Sequence, residues 1–416
     1  MIINKKLDCG VRIVMEEIPY VQSVSLGIWV KTGSVDETAK NSGISHFIEH
    51  MLFKGTENRS AKKIAEDVDK IGGQMNAFTG KEATCYYIKT LSSNVDKAAD
   101  ILIDMFMNSK FDKSEMEKEK KVVCEEIKMI EDSPEDDAHD IISELIFKGD
   151  HFSKSIIGTP SSLKGITQNA IKSYIGQEYT RDSIVVSISG SFDQHQVCKL
   201  FDGKLINLNA NKAAKTVEIT EYSPTYKVKI KDIEQSHICL GLKGVSLDDD
   251  RYYSLALLTN VLGGSMSSRL FQSIREEKGL AYSVYSMTSS FSNCGYFNIY
   301  AGVSHDKVED TVIAIKEELE LLKDKGVTLD ELGTAKEQLK GGYIFSLENV
   351  NGRMFSIGKN NLLLNKTFTS QEIIDSIDKV TMDDIKEVSE LVTDIKNYSG
   401  VIIGRNQINL KKVLKA

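Results

Sequence analysis

No stretch of the 416-residue chain approaches the roughly 18 consecutive apolar residues of a membrane-crossing helix, which sets aside a helical membrane protein. Positive charge is also in short supply. The 52 Lys and Arg against 60 Asp and Glu give a net charge of -8, removing the attraction that non-specific binding to nucleic acid or acidic lipid requires. The opening segment MIINKKLDCGVRIVMEEIPY carries acidic residues where a signal peptide has its apolar core, and it lacks the Arg/Ser-rich, acid-poor character of a transit peptide. An intracellular protein is expected. Cys9, Cys85, Cys124, Cys198, Cys239 and Cys294 are scattered without a CxxC pair, which excludes a short disulfide framework and fits reduced, buried thiols. Proline is scarce too: one of only four, Pro224, falls in NLNANKAAKTVEITEYSPTYK, an Asn-, Lys- and Thr-rich stretch over 207–227 that reads as a linker.

What is present is ordinary globular material, 41% apolar and 27% charged, in a chain long enough for two or three domains at about 150 residues each. The sequence repeats itself weakly. YYIKTLSSNVDKAADILIDMF from Tyr86 is echoed 210 residues later by YFNIYAGVSHDKVEDTVIAIK, and SIVVSISG from Ser183 is echoed after 216 by SGVIIG. Two related halves follow, 1–206 and 228–416, joined by 207–227. Short β-branched or alternating runs such as VSLGIWVKT, TCYYIKT, HICLGLKG and YFNIYAG read as strands, and longer segments of helical period lie between them. Without strict βα alternation, each half is expected to be α+β, with helices packed on a largely antiparallel sheet.

Only seven histidines occur, and two of them stand four residues apart in Ser42-Gly-Ile-Ser-His-Phe-Ile-Glu-His-Met-Leu-Phe-Lys-Gly55. Ser42 is a candidate N-cap and Gly55 a stop, framing a short helix. At about 100° per residue, Phe47, Ile48, Met51 and Leu52 fall within about 80° of Ile44, and His46, Glu49 and His50 cluster opposite them. A lone histidine there is an ordinary solvated side chain. Two imidazoles one turn apart with a carboxylate beside them can hold one cation, and HxxEH is the inverted zinc motif. A catalytic zinc also needs a third protein ligand, brought from another element.

The charged helix from Glu115 to Glu131 offers one. Met116, Val123, Ile127 and Ile130 form its apolar stripe, Glu126 flanks that stripe, Glu119 projects from the same flank two turns earlier, and Glu125 points to solvent. A half-buried carboxylate pair requires a compensating charge, which a cation supplies. Glu126 is therefore the expected third ligand, and Glu119 a supporting or substrate-proximal acid. At the 210-residue offset, His46, Glu49 and His50 fall on Ala256, Thr259 and Asn260, and the counterpart of Glu126 is Lys336 or Gly342. The second half is expected to hold no metal.

Gly33, Gly43, HFIEHMLFKGT from His46 to Thr56, GGQMNAFTGKEATCYY from Gly72 to Tyr87, EKKVVCEEI ending beside Glu126, and GGSMSSRLFQSIREEKGLAYSVYS from Gly263 to Ser286 together resemble the pitrilysin/insulinase metallopeptidases. In size and wording the chain is most similar to bacterial relatives of the mitochondrial processing peptidase beta subunit. The resemblance implies a zinc endopeptidase with one Zn2+ per chain on His46, His50 and Glu126, and Glu49 as general base. It also implies substrate contacts from Arg275 and Tyr282. Extended peptide substrates are expected along the strand containing Asn76, Ala77, Phe78 and Thr79, inside a chamber closed by a second copy of the chain. A homodimer in a bacterial-type cytoplasm is the resulting expectation; the alternative is a non-catalytic partner subunit of the same family.

Overall fold

The structure, a computed structural model, describes residues 2–209, 221–405 and 408–415. Its strands are β1 (Ile2–Lys6), β2 (Arg12–Glu17), β3 (Ser23–Val30), β4 (Gln74–Thr79), β5 (Thr84–Leu91) and β6 (Ile184–Gly190) in the first sheet. In the second they are β7 (Tyr226–Ile230), β8 (Ser236–Lys243), β9 (Ala281–Ser290), β10 (Gly295–Val303) and β11 (Ser399–Gly404). The sheet orders are β1-β2-β6-β3-β5-β4 and β7-β11-β8-β10-β9, so the second repeats the first without β1. Among the described strands, β2 with β6 and β7 with β11 pair in parallel and the rest antiparallel. The fold is α+β, with two similar, largely antiparallel sheets carrying helices, and the offsets of 210 and 216 residues connect true structural counterparts. Strand β1, IINKK, is too polar and too exposed to announce itself in the sequence.

Burial explains the strand compositions. Central β3, SVSLGIWV, is buried from Val24 to Val30 and reads as a continuous apolar run, because both its faces are covered. Edge strand β4, QMNAFT, alternates exposed and half-buried residues.

Contacts divide the chain into two interleaved units rather than contiguous halves. The first comprises the described residues of Met1–Lys128, Lys154–Val217 and Ile344–Thr369; the second comprises those of Met129–Ser153, Glu218–Tyr343 and Ser370–Ala416. This differs from the contiguous partition expected at 1–206 and 228–416, and residues 210–220 of the expected linker lie outside the described residues. The physical reason is an exchange of equivalent helices. Val350–Leu364 belongs to the first unit and lies across β3 and β6, while Pro134–Ile146 belongs to the second and lies across β8 and β11. Their first residues are separated by the same 216 positions as the sequence echo.

Glycine permits both crossings. A Cβ on Gly27 would sit 2.6 Å from Met354 Sδ, and one on Gly241 would sit 2.9 Å from Ile146 Cδ1. No larger residue fits beneath either helix at that separation. In the first unit Trp29 completes the packing, donating from Nε1 to Ser187 Oγ at 2.9 Å.

Candidate metal centre

The helix Ile44–Leu52 buries Ile44, Phe47, Ile48, Met51 and Leu52, the apolar stripe read from its period, and packs against β4 and β5. Its N-cap is Gly43, not Ser42. Gly43 has φ 86, and a Cβ there would lie 2.6 Å from the carbonyl oxygen of Ile157, so both the left-handed backbone and the close approach require glycine. With no capping side chain at that position, the buried carboxylate of Glu37 takes over. Its Oε2 accepts from Gly43 N–H at 2.7 Å and its Oε1 from Ser45 N–H at 2.9 Å. Burial pushes the Glu37 carboxyl up to about 7, while those N–H donors and the charge of Lys154 pull the other way.

One turn along the opposite face, His46 and His50 stand with ring centroids 4.5 Å apart. Glu126 comes to them from the helix Lys113–Asp132: its Oε1 is 3.7 Å from His46 Nε2 and its Oε2 is 3.5 Å from His50 Nε2. These separations are long for hydrogen bonds. The second falls within the spacing of two ligands on one tetrahedral zinc, about 3.3–3.6 Å for bond lengths of about 2.0–2.2 Å, and the first lies just above it. Glu126 Oε2 is buried without a hydrogen-bond partner, as a carboxylate oxygen kept for a cation would be. Among the described residues this is the only cluster of three such ligand-bearing side chains. Two imidazoles and a carboxylate suit zinc in a catalytic site, which keeps its remaining position open. The donor set fits the ion.

The sequence left two roles open for Glu119, and the structure puts it behind His50. Glu119 Oε1 accepts from His50 Nδ1 at 2.8 Å, fixing the tautomer that leaves Nε2 toward Glu126, and Lys54 Nζ holds Glu119 Oε2 at 2.6 Å. Burial opposes ionisation of Glu119, but His50 and Lys54 hold its carboxyl below the ordinary range. Burial likewise opposes charge on His50, yet Glu119 and Glu126 push its pKa up to about 9. His46 is driven the opposite way, first by burial and then by the neighbouring His50. Lys54 lay inside the motif HFIEHMLFKGT, but nothing in its position just past the helix signalled a partner two turns up another helix. Glu37 gave no signal either, since no sequence period connects it to Gly43.

Glu49 sits between the two histidines on the same face and accepts from Thr79 Oγ1 at 2.5 Å. Burial pushes its carboxyl up, opposed by the Thr79 bond and by His50. Thr79 ends β4, the sheet's edge strand, so the carboxylate lies against one end of an unpaired strand edge. Along that strand Asn76 Oδ1 accepts from the N–H of Ala77 at 2.8 Å, and Phe78 is 39% exposed with its ring edge-on to Trp29.

Arg275 and Tyr282 lie in the second unit, where the structure brings them to each other. Arg275 sits in the helical segment Phe271–Glu277, its guanidinium 4.8 Å from the Phe271 ring and 5.3 Å from the ring of Tyr282 at the start of β9. Just before that helical segment, Arg269 donates two hydrogen bonds to the Glu331 carboxylate, from Nε to Oε1 at 2.6 Å and from Nη2 to Oε2 at 2.8 Å. Tyr282 is 73% exposed and serves no core. Ala256, Thr259 and Asn260 occupy the counterpart helix Tyr252–Gly263, where Thr259 Oγ1 donates to the Leu255 carbonyl.

Comparison with known proteins agrees with this division. Residues 12–160 match the insulinase family, Peptidase family M16, and residues 165–339 match the Peptidase M16 inactive domain. The uncharacterized zinc protease YmxG of Bacillus subtilis is 45% identical over 381 residues, spanning 91% of this chain and 93% of its own. An uncharacterized zinc protease of Streptomyces coelicolor is 36% identical, spanning 92% and 85%. In fold, a protease from Helicobacter pylori superposes with TM-score 0.90 at 23% identity, covering 97% of this chain and 99% of its own. A peptidase M16 inactive domain from Pseudomonas fluorescens gives 0.90 at 17%, covering 98% of each. With His46, His50 and Glu126 converging in the matched first half and relatives at 36–45% identity over more than nine-tenths of the chain, the chain belongs to the insulinase family of peptidases, Peptidase family M16.

Proposed function

We propose that this protein is a zinc metalloendopeptidase that hydrolyses extended, unfolded peptides. The observation that carries the reading is the convergence of His46, His50 and Glu126 with Glu49 beside them at the end of an edge strand. His46, His50 and Glu126 would hold a zinc ion, which would supply Lewis acidity toward a water and a substrate carbonyl. Glu49, half-desolvated and oriented by Thr79, takes the proton of the attacking water and returns it to the departing amine. Glu119 and Lys54 hold His50 in its working tautomer. Strand β4 offers backbone donors and acceptors to a substrate in extended form, a mode tolerant of sequence, with Phe78 and its neighbours contacting side chains.

The reading extends to a homodimer enclosing the substrate in a chamber, with Arg275 and Tyr282 of one chain serving the metal centre of the other. A guanidinium and a phenol are suitable donors for a carbonyl oxygen gaining negative charge. Cytoplasmic action is part of the same proposal; among the described residues no helix is long and apolar enough to cross a membrane.

The test is cleavage of an unstructured peptide by the purified chain, with zinc measured at one per chain and activity abolished by a chelator and restored by zinc. A zinc-loaded protein that cleaves no member of a peptide library would overturn the reading. Sharing between chains is tested separately, by mixing a His50→Ala chain with an Arg275→Ala/Tyr282→Phe chain. Partial recovery of activity is expected, and none despite demonstrated heterodimers counts against the shared site.

Thr79→Val provides a finer check. It keeps the shape of the strand end but removes the donor to Glu49, a bond to a charged group worth about 1.5–3 kcal/mol. We expect kcat to fall by roughly tenfold or more with zinc content unchanged. An unchanged kcat would show that Thr79 does not orient the base.

A further inference from the structure

The helix Ile44–Leu52 has only nine residues, and all three of its functional side chains are fixed by the direction in which it leaves its first turn. That turn lacks a cap of its own, since Gly43 has no side chain to offer its free N–H groups. Glu37, fully buried, closes the gap from six residues upstream with one carboxylate oxygen on Gly43 N–H and the other on Ser45 N–H. Glu37 is itself held in place. Lys154 Nζ donates to its main-chain carbonyl, and on the other side of the turn Ser45 Oγ and Tyr174 Oη are 2.9 Å apart. The residue after Ser45 is His46.

We propose that Glu37 is a positioning residue for the metal centre: it fixes the first turn of this helix so that His46 and His50 converge on Glu126, and its charge offsets the positive helix end beside His46. Both parts follow from the geometry. A carboxylate that grips the N–H groups of Gly43 and Ser45, on either side of an Ile44 N–H that donates to the Asn41 carbonyl, sets the tilt of the helix as well as its start, and a tilt error at the first turn displaces His46 and His50 together. The positive end of a helix acts within its first turn, which contains His46, and it opposes a cation there unless an anion sits against it.

The inference rests on the zinc reading, and its test is read on zinc binding, without catalysis. Glu37→Gln has the shape of the parent, but it loses the charge and turns one acceptor into an amide donor facing an N–H. Zinc affinity of the folded, metal-free chain is measured by competition with a chromogenic chelator, alongside its thermal unfolding. We expect binding weakened by about 10–100-fold, the range for loss of a group that supports a ligand. A purely structural cap would lower the melting temperature and leave the affinity of the folded protein at the parental value, and that result overturns the proposal. Should the Gln chain fail to fold, Glu37→Asp decides: it keeps the charge, retracts it by one methylene, and is expected to bind zinc a few-fold more weakly than the parent. Parental affinity in the Asp chain would then overturn the proposal. A parent chain that binds zinc tightly but cleaves no peptide would sink the peptidase reading alone.

Discussion

Glu49→Gln is expected to lower kcat by about 10²–10⁴-fold, the contribution of a positioned acid–base group, while zinc stays bound at one per chain. The substitution is nearly isosteric, and a glutamine oxygen still accepts from Thr79 Oγ1, so the strand end keeps its place. What is lost is the capacity to take a proton. Glu49 is not among the ligand cluster of His46, His50 and Glu126, which is why metal content should be indifferent to the change. The measurement is kcat on a fluorogenic peptide, with zinc determined by elemental analysis on the same sample. Near-parental turnover would remove Glu49 from the chemistry, and lost zinc would show that it supports the metal instead. The two outcomes are distinct because the Glu49 carboxylate is bonded to Thr79 and is not one of the three converging side chains.

The three side chains that converge in the structure, His46, His50 and Glu126, lie on elements that were legible in the sequence, because the helical period is local information. His46 and His50 are joined by the helical period, and Glu126 lies on an amphipathic helix whose apolar stripe, Met116, Val123 and Ile127, is buried as its spacing required. Strands behaved likewise wherever β-branched residues run together, and the two-sheet architecture followed from them. The supporting groups were not legible, since each depends on where separate elements meet. Lys54 reaches Glu119 across 65 positions, and Glu37 grips a helix start from which an irregular turn separates it. The exchange of Val350–Leu364 and Pro134–Ile146 was hidden for another reason. Each sheet carries a glycine where a helix crosses it, Gly27 on one and Gly241 on the other, so the strand sequences do not tell which of the two helices each sheet receives.

His50→Ala is expected to abolish stoichiometric zinc binding and, with it, peptide cleavage. The argument turns on what surrounds the ring. His50 is the one ligand supported by a charged pair behind it, with Glu119 Oε1 at 2.8 Å and Lys54 on the other oxygen of that carboxylate. Its removal leaves Glu126 and His46 alone toward the cation, two ligands where a catalytic zinc takes three. The loss in affinity should therefore exceed the roughly 10–100-fold expected for Glu119→Gln, which spares the ligand and removes only its orienting partner. Zinc that binds the folded state stabilises it by about 4.1 kcal/mol when present at a thousand times its dissociation constant, so the parent should melt at a higher temperature with zinc than with chelator. The His50→Ala chain should show no such difference, with Glu119→Gln between the two at limiting zinc. A His50→Ala chain that kept parental zinc affinity and a zinc-dependent rise in melting temperature would mean that the ion sits elsewhere, and the metal centre drawn here would fall with it.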